Sequence, residues 1–164
     1  MFLTGAIYQA MVGHARSAAP NEACGIVAGM KEKVLKFYPA SNREASPTHY
    51  LLEPAEQFEI FREVEERGWG LLGIFHSHPE APAFPSQQDI EMAYYPDLIH
   101  LIVSLRKGPP ELRGFWIRGG KVVEEEIQIG PETEGENSTC DNPKRVADHK
   151  ALLRKDRLAM TDCN

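Results

Sequence analysis

The sequence has few cysteines, no long apolar stretch and no excess of positive charge. Its three cysteines are an odd number and form no Cys-x-x-Cys pair, which argues against a disulfide framework and a thiolate zinc site. The longest apolar run, residues 98–105, contains His100 and is too short to cross a bilayer. A net charge of −6 and an isoelectric point near 5.5 supply no positive field. We therefore expect neither a nucleic-acid nor a membrane partner.

The N-terminal residues show no basic leader followed by an uninterrupted apolar stretch, so they are not typical of a signal peptide. A cytoplasmic location is the resulting expectation. The chain is 42% hydrophobic and 26% charged, the balance of an ordinary folded domain, and 164 residues are enough for one domain with its own core.

Apolar periodicity and turn residues predict three helices and seven strands. The helices are predicted at residues 6–19, 54–68 and 86–95. The strands are predicted at residues 24–30, 33–40, 48–52, 69–79, 98–105, 111–120 and 121–129, with hairpin turns after the first strand and at Gly119-Gly120. Helices and strands do not alternate strictly, which predicts an α+β or mixed α/β fold.

The composition changes near residue 130. Residues 131–143 are acidic and rich in turn formers, and residues 144–160 are basic with sparse apolar positions. We predict a folded domain over residues 1–130 and a separate C-terminal tail over 131–164, either a short helix or disordered.

Two histidines, His76 and His78, stand two residues apart at the polar end of an apolar segment. That segment, residues 69–79, is typical of a strand buried on both faces. In an extended chain, side chains two residues apart point to the same side, so both imidazoles can bind one ion. The pair predicts a metal site.

Asp89 is the third predicted ligand. Ser86 follows a proline-rich loop and is predicted to cap the third helix, which places Asp89 in the first turn. Two imidazoles and one carboxylate leave a tetrahedral position for water, as in catalytic rather than structural zinc sites. We predict one Zn²⁺ per chain, bound by His76, His78 and Asp89.

Glu22 lies between the first predicted helix and the first predicted strand, and alone it would be an ordinary surface acid. Taken with the runs HSHP at 76–79 and SQQD at 86–89, however, it completes a pattern that resembles the JAMM motif of the Mov34/MPN/PAD-1 metallopeptidases. The resemblance covers about the first 130 residues and is closest to the short prokaryotic form. It implies that Glu22 is the general base and that Ser86 helps to stabilise the oxyanion.

The resemblance also implies a cytidine-deaminase-like mixed sheet flanked by helices. The implied activity is zinc-dependent hydrolysis of peptide or isopeptide bonds at the C-terminus of a small ubiquitin-like sulfur carrier ending in Gly-Gly. The group released would be a C-terminal extension, a conjugated lysine or an attached cysteine. Backbone pairing at an exposed sheet edge would bind the extended terminus.

Other interpretations remain beside this one. The chain could be a non-catalytic interaction module with a structural zinc, possessing the same ligands but no turnover. A zinc nucleoside deaminase is excluded, because those enzymes use His-x-Glu with Pro-Cys-x-x-Cys and position 78 is histidine. Cys24 is interpreted as a small buried apolar residue, and Ser86 has a competing role as helix cap. The sequence leaves a homo-oligomer open.

Overall fold

Eight strands and three helices make up the part of the chain that the computed structural model describes, residues 1–106 and 108–131. The helices are α1 (Gly5–Ala18), α2 (Pro54–Glu66) and α3 (Gln87–Glu91). The strands are β1 (Phe2–Thr4), β2 (Cys24–Met30), β3 (Lys33–Ala40), β4 (Gly70–His78), β5 (Ile99–Ser104), β6 (Glu111–Arg118), β7 (Lys121–Glu125) and β8 (Gln128–Gly130).

All eight strands belong to one mixed sheet, in the order β7-β6-β5-β4-β2-β3-β1-β8. β4 and β5 are parallel, as are the pairs that β1 makes with β3 and β8, and the remaining pairs are antiparallel. Although β7 and β8 end the order on opposite sides, only two residues join them, a link of roughly 11 Å at most. The sheet must therefore curl until its edges approach each other.

The two faces of the sheet bury separate cores. Phe75 and Leu101 point toward α1 and pack with Met11, and all three are fully buried. Ile74 points the other way and packs with Phe61 of α2. Because β4 is buried on both sides at its C-terminal end, the histidines at that end lie in a shielded environment.

The first two predicted helices and the hairpin of β2 and β3 are confirmed, as are the strands around both histidines and the turn at Gly119-Gly120. Both glycines have positive φ, 55° and 79°, which a tight hairpin of this kind requires. The predicted third helix is shorter than expected: it ends at Glu91, and just after it Tyr94 N donates to Met92 O in a turn instead of continuing the helical pattern. The mixed α/β fold predicted from the sequence is correct.

Two strand predictions need correction. Residues 48–52 form no strand; only Leu52 makes an isolated bridge, to Asn42. The Asn42 side chain instead accepts hydrogen bonds from Leu51 N and Glu44 N, which holds this segment as a loop. The predicted strand 121–129 is divided into β7 and β8, since residue 128 leaves the hairpin to pair beside β1. The short strand β1 was not predicted.

The predicted C-terminal tail, 131–164, lies outside the described residues apart from residue 131. Its helical or disordered character stays a prediction, as does the boundary at residue 130. In the described part of the chain, no helix combines the length and apolar character needed to cross a membrane.

Candidate metal centre and catalytic residues

The end of β4 presents His76 and His78 on one face of the sheet. Both are buried, with 0% and 3% of their surface exposed, and their Nε2 atoms lie 3.1 Å apart. The ring of Tyr50 stacks on His76 with 4.5 Å between centroids, which covers the outer side of this imidazole. The strand alternation predicted from the sequence thus brings the two nitrogens to one point.

The hydrogen bond made by His78 Nδ1 determines that Nε2 is the ring nitrogen that faces Nε2 of His76. The Nδ1 of His78 lies 2.7 Å from the carbonyl oxygen of Pro82, which can only accept a hydrogen bond. Nδ1 therefore carries the proton when the ring is neutral, and Nε2 offers its lone pair. A backbone carbonyl on the second ring nitrogen is a usual outer partner of a metal-binding histidine.

Asp89 reaches the histidines from the first turn of α3. Its Oδ1 lies 3.4 Å from Nε2 of His76, and its Oδ2 lies 3.4 Å from Nε2 of His78. Ser86 holds the carboxylate in place: its backbone N–H and its hydroxyl both donate to Oδ2, at 2.7 and 2.6 Å. The Ser86 hydroxyl also accepts from Asp89 N at 3.1 Å, so the predicted N-cap is a reciprocal capping box.

Glu22 enters the same space from the segment between α1 and β2. It is 3% exposed, and its Oε1 lies 3.9 Å from Nε2 of His78. Its backbone is held by the loop before α2, because Glu22 N donates to Ser46 O and Asn42 Nδ2 donates to Glu22 O. Its Oε2 is buried without a hydrogen-bond partner among the described residues.

These groups fit a metal ion. Ligand atoms of Glu22, His76 and His78 all lie within 4.8 Å of one another, and Asp89 adds two oxygens at 3.4 Å from the imidazoles. Imidazole nitrogen and carboxylate oxygen are ligands that Zn²⁺ binds, and the buried, unpaired Oε2 of Glu22 has acceptor capacity to spare. All the residues singled out from the sequence are thus brought together, with Ser86 joined to the cluster through Asp89.

The protonation states suit this cluster. Burial raises the pKa of Glu22 to about 7, so its carboxyl can exchange a proton near neutral pH. Burial also lowers the pKa of His76, which favours the neutral, ligating ring. For Asp89, burial acts to raise the pKa, but hydrogen bonds with both histidines outweigh it and keep the pKa well below its usual range. Burial opposes protonation of His78 too, yet contacts with Asp89 and the Pro82 carbonyl raise its pKa.

Two nearby residues do not act as nucleophile or base. Burial raises the pKa of the Cys24 thiol to about 12, so it stays protonated, in agreement with its interpretation as a small buried residue. His100 is buried on β5, where burial lowers its pKa to about 4, and neither ring nitrogen has a partner in the described structure. It remains neutral.

Sequence reasoning missed the residues that support the site. Asn42 and Tyr50 lie in the loop before α2, of which only residues 48–52 were predicted as a strand, and neither belongs to a recognisable motif. Ser77 lies inside the HSHP run, but it points to the opposite face of β4, where its hydroxyl accepts from Ala23 N at 2.8 Å. Strand alternation would have placed Ser77 away from the ligands, although its partner could not be inferred.

Several known proteins are similar to this chain in sequence and in fold. The family described as prokaryotic homologs of the JAB domain matches residues 4–118. The CysO-cysteine peptidase of Mycobacterium tuberculosis is 37% identical over 126 residues, covering 75% of this chain and 86% of that protein. The desampylase of Haloferax volcanii is 38% identical over 101 residues, covering 57% of this chain and 73% of that protein. A Desulfitobacterium hafniense protein solved in solution is 40% identical with a TM-score of 0.75, covering 81% of this chain and 94% of that one.

The family match spans well over half of the chain and includes Glu22, both histidines and Asp89. The named relatives are a peptidase and a desampylase, and the ligand atoms of the buried cluster lie close enough together to hold a metal ion. The chain therefore belongs to the prokaryotic JAB-domain branch of the JAMM/MPN family and is a JAMM-type peptidase.

Proposed function

We propose that this protein is a zinc-dependent hydrolase that cleaves the bond after the C-terminal glycine of a small ubiquitin-like sulfur carrier. The observation that carries the proposal is the convergence of two histidines and two carboxylates in one buried cluster at the end of β4. The names of the relatives support the substrate class, since one is a CysO-cysteine peptidase and another is a desampylase.

In this proposal His76, His78 and Asp89 bind one Zn²⁺. Asp89 is favoured over Glu22 as the third ligand because its oxygens approach both imidazoles at 3.4 Å, whereas Glu22 approaches only His78, at 3.9 Å. Its low pKa keeps Asp89 ionised at every working pH. Bound zinc supplies Lewis acidity, which acidifies water and polarises a carbonyl group.

Glu22 moves the proton in the proposed reaction. Its carboxylate takes a proton from water as the water oxygen bonds to the scissile carbonyl carbon, and the carbon–nitrogen bond then breaks. Glu22 returns the proton to the departing amine, so the carboxylate is regenerated. A pKa of about 7 suits a group that must both accept and release a proton near neutral pH.

Ser86 is proposed to donate a hydrogen bond to the developing oxyanion. In the structure its hydroxyl proton is directed at Asp89 Oδ2, at 2.6 Å. This role therefore requires the hydroxyl to turn from Asp89 to the substrate oxygen, while the backbone N–H of Ser86 continues to hold Asp89 at 2.7 Å.

The carrier is proposed to end in Gly-Gly, and the released group to be an attached cysteine, a peptide extension or a conjugated lysine. Glycine fits a narrow approach to a buried cluster, because it adds no side chain to the extended terminus. The cytoplasmic location stays a prediction from the sequence, and the sequence leaves the oligomeric state open.

Glu22→Gln tests the proposal. Purified zinc-loaded protein would be incubated with a carrier bearing each of the three C-terminal groups, and the products identified by mass spectrometry. We expect the wild type to release at least one group and Glu22→Gln to lose about 10²–10⁴-fold in kcat while retaining zinc. Glu66→Gln, on the exposed face of α2, is the matched control and should remain active.

If the zinc-loaded wild type cleaves none of these substrates, the proposed function is wrong. If Glu22→Gln keeps the wild-type rate, the base is wrongly assigned although the activity stands. The alternative of a non-catalytic module predicts equal inactivity of the wild type and Glu22→Gln.

A further inference from the structure

Glu22 has a carboxylate that no hydrogen bond of its own fixes in place. Its Oε2 has no partner among residues 1–106 and 108–131, and Oε1 is 3.9 Å from the nearest histidine nitrogen, beyond hydrogen-bond distance. The backbone that carries this carboxylate, together with the packing around its buried side chain, therefore sets its position. The contacts of that backbone determine how the base faces the ligands.

Ser77 provides the contact that comes from the metal-binding strand. Its hydroxyl accepts a hydrogen bond from Ala23 N at 2.8 Å, and its own backbone N–H donates to Ala23 O at 3.0 Å. Ser77 is fully buried and Ala23 is 2% exposed. A two-point clamp thus joins the residue after Glu22 to the residue between His76 and His78.

The other anchors of Glu22 come from a different part of the chain. Ser46 accepts from Glu22 N, and Asn42 donates to Glu22 O, both from the loop before α2. These two contacts hold the backbone of Glu22, but neither of them connects it to β4. Among the contacts described, the Ser77 clamp joins Ala23, the residue next to Glu22, to the strand that carries the imidazoles, one residue beyond the β2–β4 pair of Cys24 with His76.

Ser77 cannot act on the ion or the substrate itself. Strand alternation directs its side chain to the α1 face, opposite the face of His76 and His78. Its neighbour on that face is Phe75, which is fully buried in the α1 core. Any effect of the hydroxyl on turnover must pass through Ala23 and Glu22.

We propose that Ser77 is a positioning residue, whose hydroxyl fixes the distance between the Glu22 base and the ligand pair. This inference rests on the role proposed for Glu22. In Ser77→Ala the buried Ala23 N–H loses its acceptor, and the segment carrying Glu22 is released from β4 on one side. The ligands stay in place, because His76, His78 and Asp89 do not contact the Ser77 hydroxyl.

The experiment compares Ser77→Ala, Ser77→Thr and Val34→Ala. Val34 is buried in the same α1-side core but lies near the far end of β3, so it serves as a control for lost packing. We expect Ser77→Ala to bind one zinc and to keep KM while kcat falls about 10–100-fold, as misplacement of a catalytic group does. Ser77→Thr, which keeps the hydroxyl, should restore kcat, and Val34→Ala should lower the melting temperature without lowering kcat.

Combination with Glu22→Gln shows through which residue Ser77 acts. If the hydroxyl acts through Glu22, then Ser77→Ala lowers kcat in the wild type but adds nothing to Glu22→Gln. Proton exchange of the Ala23 amide, measured by NMR on metal-free protein, gives a readout independent of activity. We expect faster exchange in Ser77→Ala and slow exchange in Ser77→Thr.

Three results would overturn the proposal. They are an unchanged kcat in folded Ser77→Ala, an equal further loss when the change is added to Glu22→Gln, and unchanged exchange of the Ala23 amide. Each differs from failure of the proposed function, in which the wild type itself cleaves no carrier substrate.

Discussion

Replacing Glu22 by glutamine should stabilise the metal-free protein at alkaline pH and have little effect at acidic pH. Glu22 is buried, and burial raises its pKa from 4.5 to about 7. Without a bound cation, the ionised carboxylate is unfavourable in this environment. Glutamine resembles the protonated form in shape and polarity but cannot ionise.

The sign and size follow from proton linkage. Between pH 4.5 and about 7 the folded chain binds more protons at Glu22 than the unfolded chain does, so the free energy of unfolding falls as the pH rises. The contribution is fully present below pH 4.5 and is lost as the pH passes through about 7. Each tenfold change in the proton-binding constant of Glu22 corresponds to about 1.4 kcal/mol. The rise in its pKa from 4.5 to about 7 therefore corresponds to a total loss of about 3 kcal/mol in the free energy of unfolding.

Urea unfolding of chelator-treated protein measures this difference. Wild type and Glu22→Gln would be unfolded at about pH 4 and about pH 8, and their free energies of unfolding compared. We expect near-equal values at the lower pH and a variant more stable by about 3 kcal/mol at the higher pH. Glu66→Gln, an exposed change, should stay within about 0.5 kcal/mol of the wild type at both.

A constant difference between the two proteins across this pH range would refute the reasoning. It would mean that Glu22 ionises equally easily in the folded and unfolded chain, and so that the buried carboxylate is compensated by a contact the structure does not show. A variant less stable than the wild type at the higher pH would have the same meaning.

Two further predictions concern the metal and its capping box. Removal of zinc by a chelator should abolish hydrolysis, and added zinc should restore it. At a zinc concentration about 100 times its Kd, the free energy of unfolding should rise by about 2.7 kcal/mol, measured by thermal or urea unfolding. Zinc-independent turnover would contradict the assignment. Ser86→Ala removes the helix cap, so it should lower the free energy of unfolding by about 1 kcal/mol. It also removes a donor to Asp89, so it should lower zinc affinity by about 10–100-fold, measured by competition with a chromogenic chelator. Wild-type zinc affinity in Ser86→Ala would show that the backbone N–H alone holds Asp89.

The parts of the site that the sequence predicted are those set by local geometry. His76 and His78 face one side because a strand repeats every two residues, and Asp89 turns inward because Ser86 caps the helix. Each of these relations spans a few residues. The periodic helices α1 and α2 were predictable for the same reason.

Relations between distant segments were not accessible in this way. By residue type alone Glu22 was an ordinary surface acid, and only the motif resemblance connected it to the histidines. The Asn42 side chain organises its loop by bonding backbone groups of four separate residues, a role that strand propensity cannot indicate. β1 and β8 pair with each other from opposite ends of the described chain, and three-residue strands show little periodicity.

The register of β4 links the metal ligands to the support for the base. β2 places Gly25 opposite Phe75 and Cys24 opposite His76. A Cβ at Gly73 of β4 would lie 2.6 Å from the Ile99 carbonyl oxygen of β5, so the strands are packed too closely there for a larger residue. This close packing fixes the alignment of β4 against its neighbours.

A slip of one residue would exchange the two faces of β4. Ser77 would then face the metal cluster, and both imidazoles would enter the apolar core beneath α1. The ligands and the Ser77 clamp on Ala23 are therefore gained or lost together. For this reason a change that shifts the register, such as a larger residue at Gly73, should remove zinc binding and the protection of the Ala23 amide in the same variant, whereas Ser77→Ala should remove only the second.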